Sequence, residues 1–377
     1  MSYILPNEMV EWDLLIALYP FLTGLVAGAF IVSSLYYVFG FERFRRLSSL
    51  ALIISIAFMI AAPLPLVAHL LQPSRAPEIF FTPNLTSPMS IFGYLWVTYL
   101  AVMLVEGYFM HRRYIANRAN KATGLLKVFY RFMSLSKDTS DNSARRDLKV
   151  VRSLALLGLP LAAIFHGYVG FIFGSLKANA WWSTPQMSEI FLLSAIVSGV
   201  ALVFLSYVII ATATKTEIDR DLLSYGGKVL AWFILMDSVV ELVEVLYRAY
   251  LQAEDWSAIS QVFFGQLFVP YVGLQFILGA AAPLLLLTSR RIRRSSFGMA
   301  LASTLALIGT FVMRYTTVIG GQLISRTGQG FLTFTAPLFG QGSIFTALST
   351  FGLPLFIVAF LTTVVPWEAK DTEVIAQ

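Results

Sequence analysis

The sequence contains no cysteine and only three histidines, His69, His111 and His166. Without a thiolate, the chain cannot hold an iron–sulfur cluster, a thiolate zinc site or covalently attached c-type haem. Any metal redox centre that works with it must sit in another protein. A b-type haem needs two histidines on facing helices. His111 falls at the opposite membrane face from the other two, so His69 and His166 are the one pair that could ligate iron, and neither haem nor a metal site is expected. Charge is scarce as well: charged residues make up 13% of the 377, against 57% apolar, and the mean hydropathy is +0.74. Such a composition excludes a soluble globular chain and places the protein in a bilayer.

What the sequence has in abundance is long apolar runs. Crossing the hydrocarbon core takes roughly 20 mostly apolar residues per helix, and nine such runs are present, at about 14–38, 48–70, 91–111, 153–176, 190–213, 229–251, 263–288, 297–320 and 345–365. The fold class is therefore an all-α integral membrane protein, with its termini on opposite sides. The loops after the odd-numbered spans one to seven and the C-terminal tail carry 22 of the 27 Lys and Arg residues; the N-terminus and the other loops carry three. Basic loops stay cytoplasmic, so the N-terminus is expected outside and the C-terminus inside a cytoplasmic (inner) membrane. These loops also account for the pI near 9.4, which removes the reason to invoke nucleic acid. Glu8, Glu11 and Asp13 stand where a signal peptide would be basic, so the first span is expected to remain in the mature protein.

Phe21-Leu22-x-Gly24-x-x-x-Gly28 and Phe191-Leu192-x-Ser194-x-x-x-Ser198 put small residues four apart at the same point of spans one and five. Such stripes let helix backbones pack closely in lipid. The pattern predicts two related halves, 1–176 and 177–322, each a four-helix bundle and running parallel, followed by an appended ninth helix in 323–377. The segment 112–152 reads as a solvated loop touching anionic lipid, and Trp181 and Trp182 read as interfacial anchors.

Ionisable groups at bilayer depth are costly and point to function. Tyr19, His69, His166, Glu244, Arg248 and Arg314 fall in the outer half, Asp237 near the middle and Glu106 near the inner end of span three. Asp237, Glu241, Glu244 and Arg248 are spaced 4, 3 and 4 apart and share one helix face. They form either a proton-transfer ladder or a structural ion-pair network, Arg248 with Glu244 and Arg314 with Glu241. Tyr19, His166 and Arg314 supply polar groups for a quinone ring in an apolar slot, and Gln322 ends the same helix as Arg314. The Gly320-Gly321 pair would let a ligand or a partner's backbone come close. A proton-coupled secondary transporter with parallel repeats would also use a buried Asp-Glu-Glu-Arg stripe, although its helix breaks belong at the midplane. Here Gly320-Gly321 and Pro63-x-Pro65 lie toward the outer ends. A purely structural tether would not need carboxylates at depth.

Four segments together resemble the NrfD/PsrC family, the membrane anchors of polysulfide reductase and related complexes, which includes HybB-like hydrogenase anchors. They are Ala17-Leu18-Tyr19-Pro20-Phe21-Leu22-x-Gly24-Leu25-x-x-Gly28, Asn84-Leu85-Thr86-Ser87-Pro88-Met89-Ser90, Trp182-x-Thr184-Pro185 and Arg314-Tyr315-x-x-Val318-Ile319-Gly320-Gly321-Gln322. The resemblance implies a haem-free anchor of two four-helix bundles with an outer-side site for menaquinone or ubiquinone. It implies a docked iron–sulfur subunit with [4Fe-4S] clusters and a catalytic subunit, expected to be of the molybdopterin type. Thr86, Ser87, Gly320 and Gly321 become candidate docking residues, and Asp237, Glu241 and Glu244 candidate proton carriers. Tyr19 stands where some quinone-binding relatives carry histidine. Its higher ordinary pKa makes it a poorer proton acceptor, which shifts that role to His166 or Glu244.

Overall fold

Asp13 opens the first long helix, α1 (Leu14–Phe39), by accepting a hydrogen bond from the Leu15 amide, and Gly40 closes it in the left-handed region at φ +69°. In this computed structural model, which describes residues 5, 7–136, 138–252 and 256–368, α1 is the central post. Its most apolar stretch is 94% buried inside the protein. It packs against α2 (Arg45–Ala61, continued by Leu64–His69), α4 (Asp141–Gly174), α5 (Met187–Ala213) and α8 (Ser296–Gln322). The crossing with α5 is set by Gly28 and Gly199. A Cβ on either would run into the other helix's backbone, so the two main chains touch. The contact on α5 is made by Ala195 and Gly199, one residue along from Ser194 and Ser198, with Ala195 lying between Gly24 and Gly28 of α1.

The remaining spans are α3 (Pro88–Lys121), α6 (Arg220–Leu251), α7 (Val269–Thr288) and α9 (Ile344–Val364). Among the described residues, eight helices are long and apolar enough to cross a membrane. The ninth, α6, is 32 residues long and more charged, because its stripe turns inward. Glu241 and Glu244 are buried, while Trp232, Leu235, Val239, Leu242 and Leu246 are exposed on the other side. An apolar exterior over a polar interior is the arrangement a helix adopts when its surroundings are lipid. On α9 only 11% of the apolar window is buried, with Phe356 among its exposed residues. The protein is an all-α, multi-pass membrane protein of about nine spans.

Two local outcomes differ from expectation. The segment 112–152 is mostly helical, because α3 continues to Lys121, a short helix follows at Gly124–Met133 and α4 begins at Asp141. A buried ion pair, Arg112 to Asp147 at 2.7 Å, fastens α3 to α4 there, and Arg112 also donates to Ser143. In addition, α7 is wound as a π-helix over Val269–Ala281, a form that 3.6-residue periodicity does not reveal and that concentrates at functional sites. Its Gly279 lies against Gly309 of α8.

Candidate functional site

Arg314 of α8 is fully buried, and a guanidinium at that depth needs acceptors. Its Nη2 donates to the Ser194 hydroxyl at 2.7 Å, to the His166 Nε2 at 3.1 Å and to the Phe191 carbonyl at 3.2 Å; Nη1 faces the Met313 sulfur at 3.2 Å. The guanidinium carbon also sits 3.9 Å from the centre of the Phe191 ring, a cation–π contact. Three helices, α4, α5 and α8, are therefore tied together at one cation. The expected pairing of Arg314 with Glu241 is not made. Glu241 accepts from Gln275 instead, and the arginine reaches toward α4 and α5.

The contact fixes the imidazole's tautomer. Arginine can only donate, so Nε2 of His166 accepts and the ring proton sits on Nδ1. That Nδ1 is buried without a hydrogen-bond partner among the described residues, and so are Arg314 Nε and the Tyr19 hydroxyl. His166 lies against Gly24 of α1, whose missing side chain makes room for the ring. Tyr19, also on α1, meets Phe92 edge-on at 5.6 Å; Phe92 stacks on Phe165, the neighbour of His166, at 5.2 Å. Three orphaned polar atoms thus belong to one layer of the core. Buried polar groups in native proteins normally have partners, and these three have none among the described residues.

An aromatic column runs from this layer to the chain's N-terminal segment. His166 stacks on Phe191, Phe191 meets Phe173, Phe173 meets Trp182, and Trp182 stacks on Trp12 at 5.0 Å. Trp182 is buried and its Nε1 donates to the Thr317 carbonyl at 2.6 Å. It is a core residue here, not the interfacial anchor expected. Gly321 is what admits the indole, since a Cβ there would collide with it, and Gly320 likewise faces Phe263 and Leu267. Both glycines are buried, so the close approach they permit is made by the chain's own rings instead of a partner. Gln322 is likewise committed: its Oε1 accepts from the amides of Glu11 and Trp12, and its Nε2 donates to the Trp12 and Val318 carbonyls. It closes the N-terminal segment over the column. Thr86 and Ser87 lie in the open loop before α3, where Thr86 is exposed and bonded to Asn84.

The carboxylate stripe lines two cavities on the other side of Met313. Each is about 30 Å³; the first is bordered by Glu241, Glu244, Arg248, Gln275 and Thr316, the second by Asp237, Glu241, Gln275 and Thr310. Glu241 and Gln275 stand at the boundary of both. Gln275 of α7 donates to Glu241 at 2.7 Å and accepts from Thr316 at 2.9 Å. Glu244 pairs with Arg248 at 2.7 Å, as the ion-pair reading expected, and Arg248 is further held by the Ala180 carbonyl. Asp237 has a buried oxygen with no partner among the described residues. Glu244 is thus ion-paired, while Glu241 and Asp237 border voids of water size.

The other histidines are spoken for: His69 Nδ1 contacts Asp13 at 3.1 Å, and His111 contacts the Ser49 hydroxyl and the Gly107 carbonyl. Glu106 is buried with both oxygens unpartnered among the described residues.

Residues 5–325, covering α1 to α8, match the family described as Polysulphide reductase, NrfD. The chain belongs to this family. It is 29% identical over 323 residues to a selenate reductase subunit of Mesobacillus selenatarsenatis, a match that covers 82% of this chain and 73% of that one. It is 24% identical over 337 residues to a tetrathionate reductase subunit of Archaeoglobus fulgidus, covering 87% and 85%. A third relative, the Hdr-like menaquinol oxidoreductase integral membrane subunit of the same organism, is 23% identical over 339 residues, covering 85% and 75%. In this NrfD-family chain, the residues that sequence reasoning passed over are Phe191, Ser194, Gln275 and Thr316. Ser194 stood out for its size, yet its hydroxyl matters as an acceptor for Arg314. Gln275 gave no signal, because only the winding of α7 aims it at Glu241.

Proposed function

We propose that the chain is the quinone-interacting membrane subunit of a reductase complex. It would exchange electrons between membrane quinone and a docked iron–sulfur subunit with [4Fe-4S] clusters, which hands them in turn to or from a catalytic subunit of the molybdopterin type. The observation that carries this reading is the group of orphaned polar atoms at His166, Arg314 and Tyr19. A quinone carbonyl is an acceptor, so the His166 Nδ1–H and the Tyr19 O–H suit its oxygens, and the Arg314 charge favours oxygen that gains negative character on reduction. The tyrosine oxygen can in turn accept from a quinol hydroxyl. The relatives fit as well, since one is named for menaquinol and the others as subunits of reductases. Menaquinone and ubiquinone present the same carbonyl chemistry to these groups.

Quinol oxidation releases protons as well as electrons. Glu244, Glu241 and Asp237, bordering successive cavities along α6, are the proposed carriers, with Glu241 common to both cavities. The Lys and Arg bias puts the Trp182 end outside a cytoplasmic membrane, and the open Thr86-Ser87 loop at that end is where the cluster-bearing subunit would dock. The two halves, 1–176 and 177–322, would be parallel repeats meeting at Gly28 and Gly199, with α9 appended. A proton-coupled transporter would use the same stripe, but family membership supports the anchor.

The test is Arg314→Met in the assembled complex. Quinone-linked turnover should be lost while reduction of the terminal acceptor by an artificial dye persists. Unchanged quinol turnover in an assembled complex would remove Arg314 from the site.

A further inference from the structure

The short helix Gly124–Met133, sequence GLLKVFYRFM, sits between α3 and α4 and is not used by the proposed electron or proton chemistry. We infer that it is an interfacial helix that binds the anionic lipid surface at the arginine-rich end of the protein, with Val128 and Phe132 inserted among the lipid chains and Lys127 and Arg131 on the phosphates. Its position argues for this first. Gly124, at φ +63°, turns the chain three residues after Lys121, the last residue of α3. The Tyr130 hydroxyl then donates to the carbonyl of Val364, the last residue of α9, at 2.6 Å. Tyr130 is buried among Ile115, Ala119 and Val364. A helix that packs Tyr130 on Tyr114 and Ile115 of α3 and bonds it to the end of α9 lies near the level where α9 leaves the bilayer.

The remaining surface fits that level. Val128 and Phe132 are four residues apart, on one face, and are 66% and 81% exposed. Leu135, just past the helix, is 81% exposed. Lys127 and Arg131 repeat the same spacing on the adjoining face, one residue earlier. A strip of bulky apolar groups beside a strip of cations matches an interface in which acyl chains lie next to anionic phosphates. A soluble partner protein would be the competing occupant. Lys127 and Arg131 are the helix's own cations, and neither has a carboxylate partner among the described residues.

The absence of cysteine permits a direct test, because a single introduced thiol is the only labelling site in this chain. Phe132→Cys and Val128→Cys carry a nitroxide in the intact complex, reconstituted in nanodiscs containing phosphatidylglycerol. Phe356→Cys on α9 serves as the lipid reference and Ser136→Cys as the aqueous one. Accessibility to oxygen and to a water-soluble nickel chelate is read by power saturation. The expected result is an oxygen-favoured ratio at 128 and 132 like that at 356, shifting toward the nickel chelate when phosphatidylcholine replaces phosphatidylglycerol. Nickel access equal to that at 136 would overturn the lipid contact. Exclusion of both reagents would mean that protein covers the face, which also overturns it, and equal ratios in the two lipids would overturn the preference for anionic lipid.

Discussion

Replacing His166 with phenylalanine isolates the contribution of the two ring nitrogens, because it keeps the ring volume beside Gly24 and the stack on Phe191. Two losses follow. Arg314 gives up the Nε2 acceptor at 3.1 Å but keeps Ser194, the Phe191 carbonyl and Met313. Weakening one hydrogen bond to a buried charge costs about 1–3 kcal/mol, which an assembled multi-helix protein should survive. The second loss falls on the quinone, whose buried carbonyl would lose the Nδ1–H donor. An unsatisfied buried acceptor also costs about 1–3 kcal/mol, and that converts to a fall of about 5- to 150-fold in kcat/KM for quinol. The assay compares quinol-linked turnover with dye-linked turnover in the same membranes, with thermal stability measured in parallel. Dye-linked turnover should stay near the parent value. Parent-like quinol turnover in the variant would refute the placement of the ring at His166, and equal loss of both activities would show that the substitution acts through assembly.

Other outcomes follow from the same structure. Glu241→Gln retains an oxygen to accept from Gln275 and cannot carry a proton. Quinol-linked turnover should fall by about 100-fold or more in a complex that assembles normally, and retained turnover would exclude Glu241 from proton transfer. The pH response of the N-terminal segment rests on Glu8, whose carboxylate accepts from the Arg326 amide at 2.7 Å and the Ser325 hydroxyl at 3.0 Å. Slight desolvation raises its proton affinity, but the Arg326 and Ser325 hydrogen bonds outweigh that and hold the carboxyl below its ordinary range. A lowered folded pKa stabilises the attachment above the unfolded value and releases it as the pH falls through the folded one. Amide exchange at Arg326, corrected for its intrinsic rate, should therefore speed up below about pH 4, and in Glu8→Gln it should lose that pH dependence.

Membrane residence and the location of most spans could be read from the sequence because they depend on local quantities. An apolar run of sufficient length needs a bilayer, and its backbone then has to be helical. The inward face of α6 was legible for the same reason, since the 4-3-4 spacing of Asp237, Glu241, Glu244 and Arg248 fixes one side of a helix whatever packs against it. The candidate set Tyr19, His166 and Arg314 came from depth and cost together with the hydrogen-bonding groups that a quinone needs. Tertiary structure decided which groups pair. Arg314 could have turned to Glu241 or to His166, and the helix crossing at Gly28 and Gly199, together with the room left by Gly24, sends it to His166. Gly320 and Gly321 announced a close approach, but a glycine cannot say what approaches, and here it is Trp182 and Phe263. The amide of Gln322 went to the N-terminal backbone, more than 300 residues away in the chain. Gln275 became Glu241's partner through the π-winding of α7, a change of helical pitch that hydrophobic periodicity does not record. Charge, length and spacing are properties of short stretches and survive in the sequence, whereas the partner of a buried polar group depends on how distant helices cross.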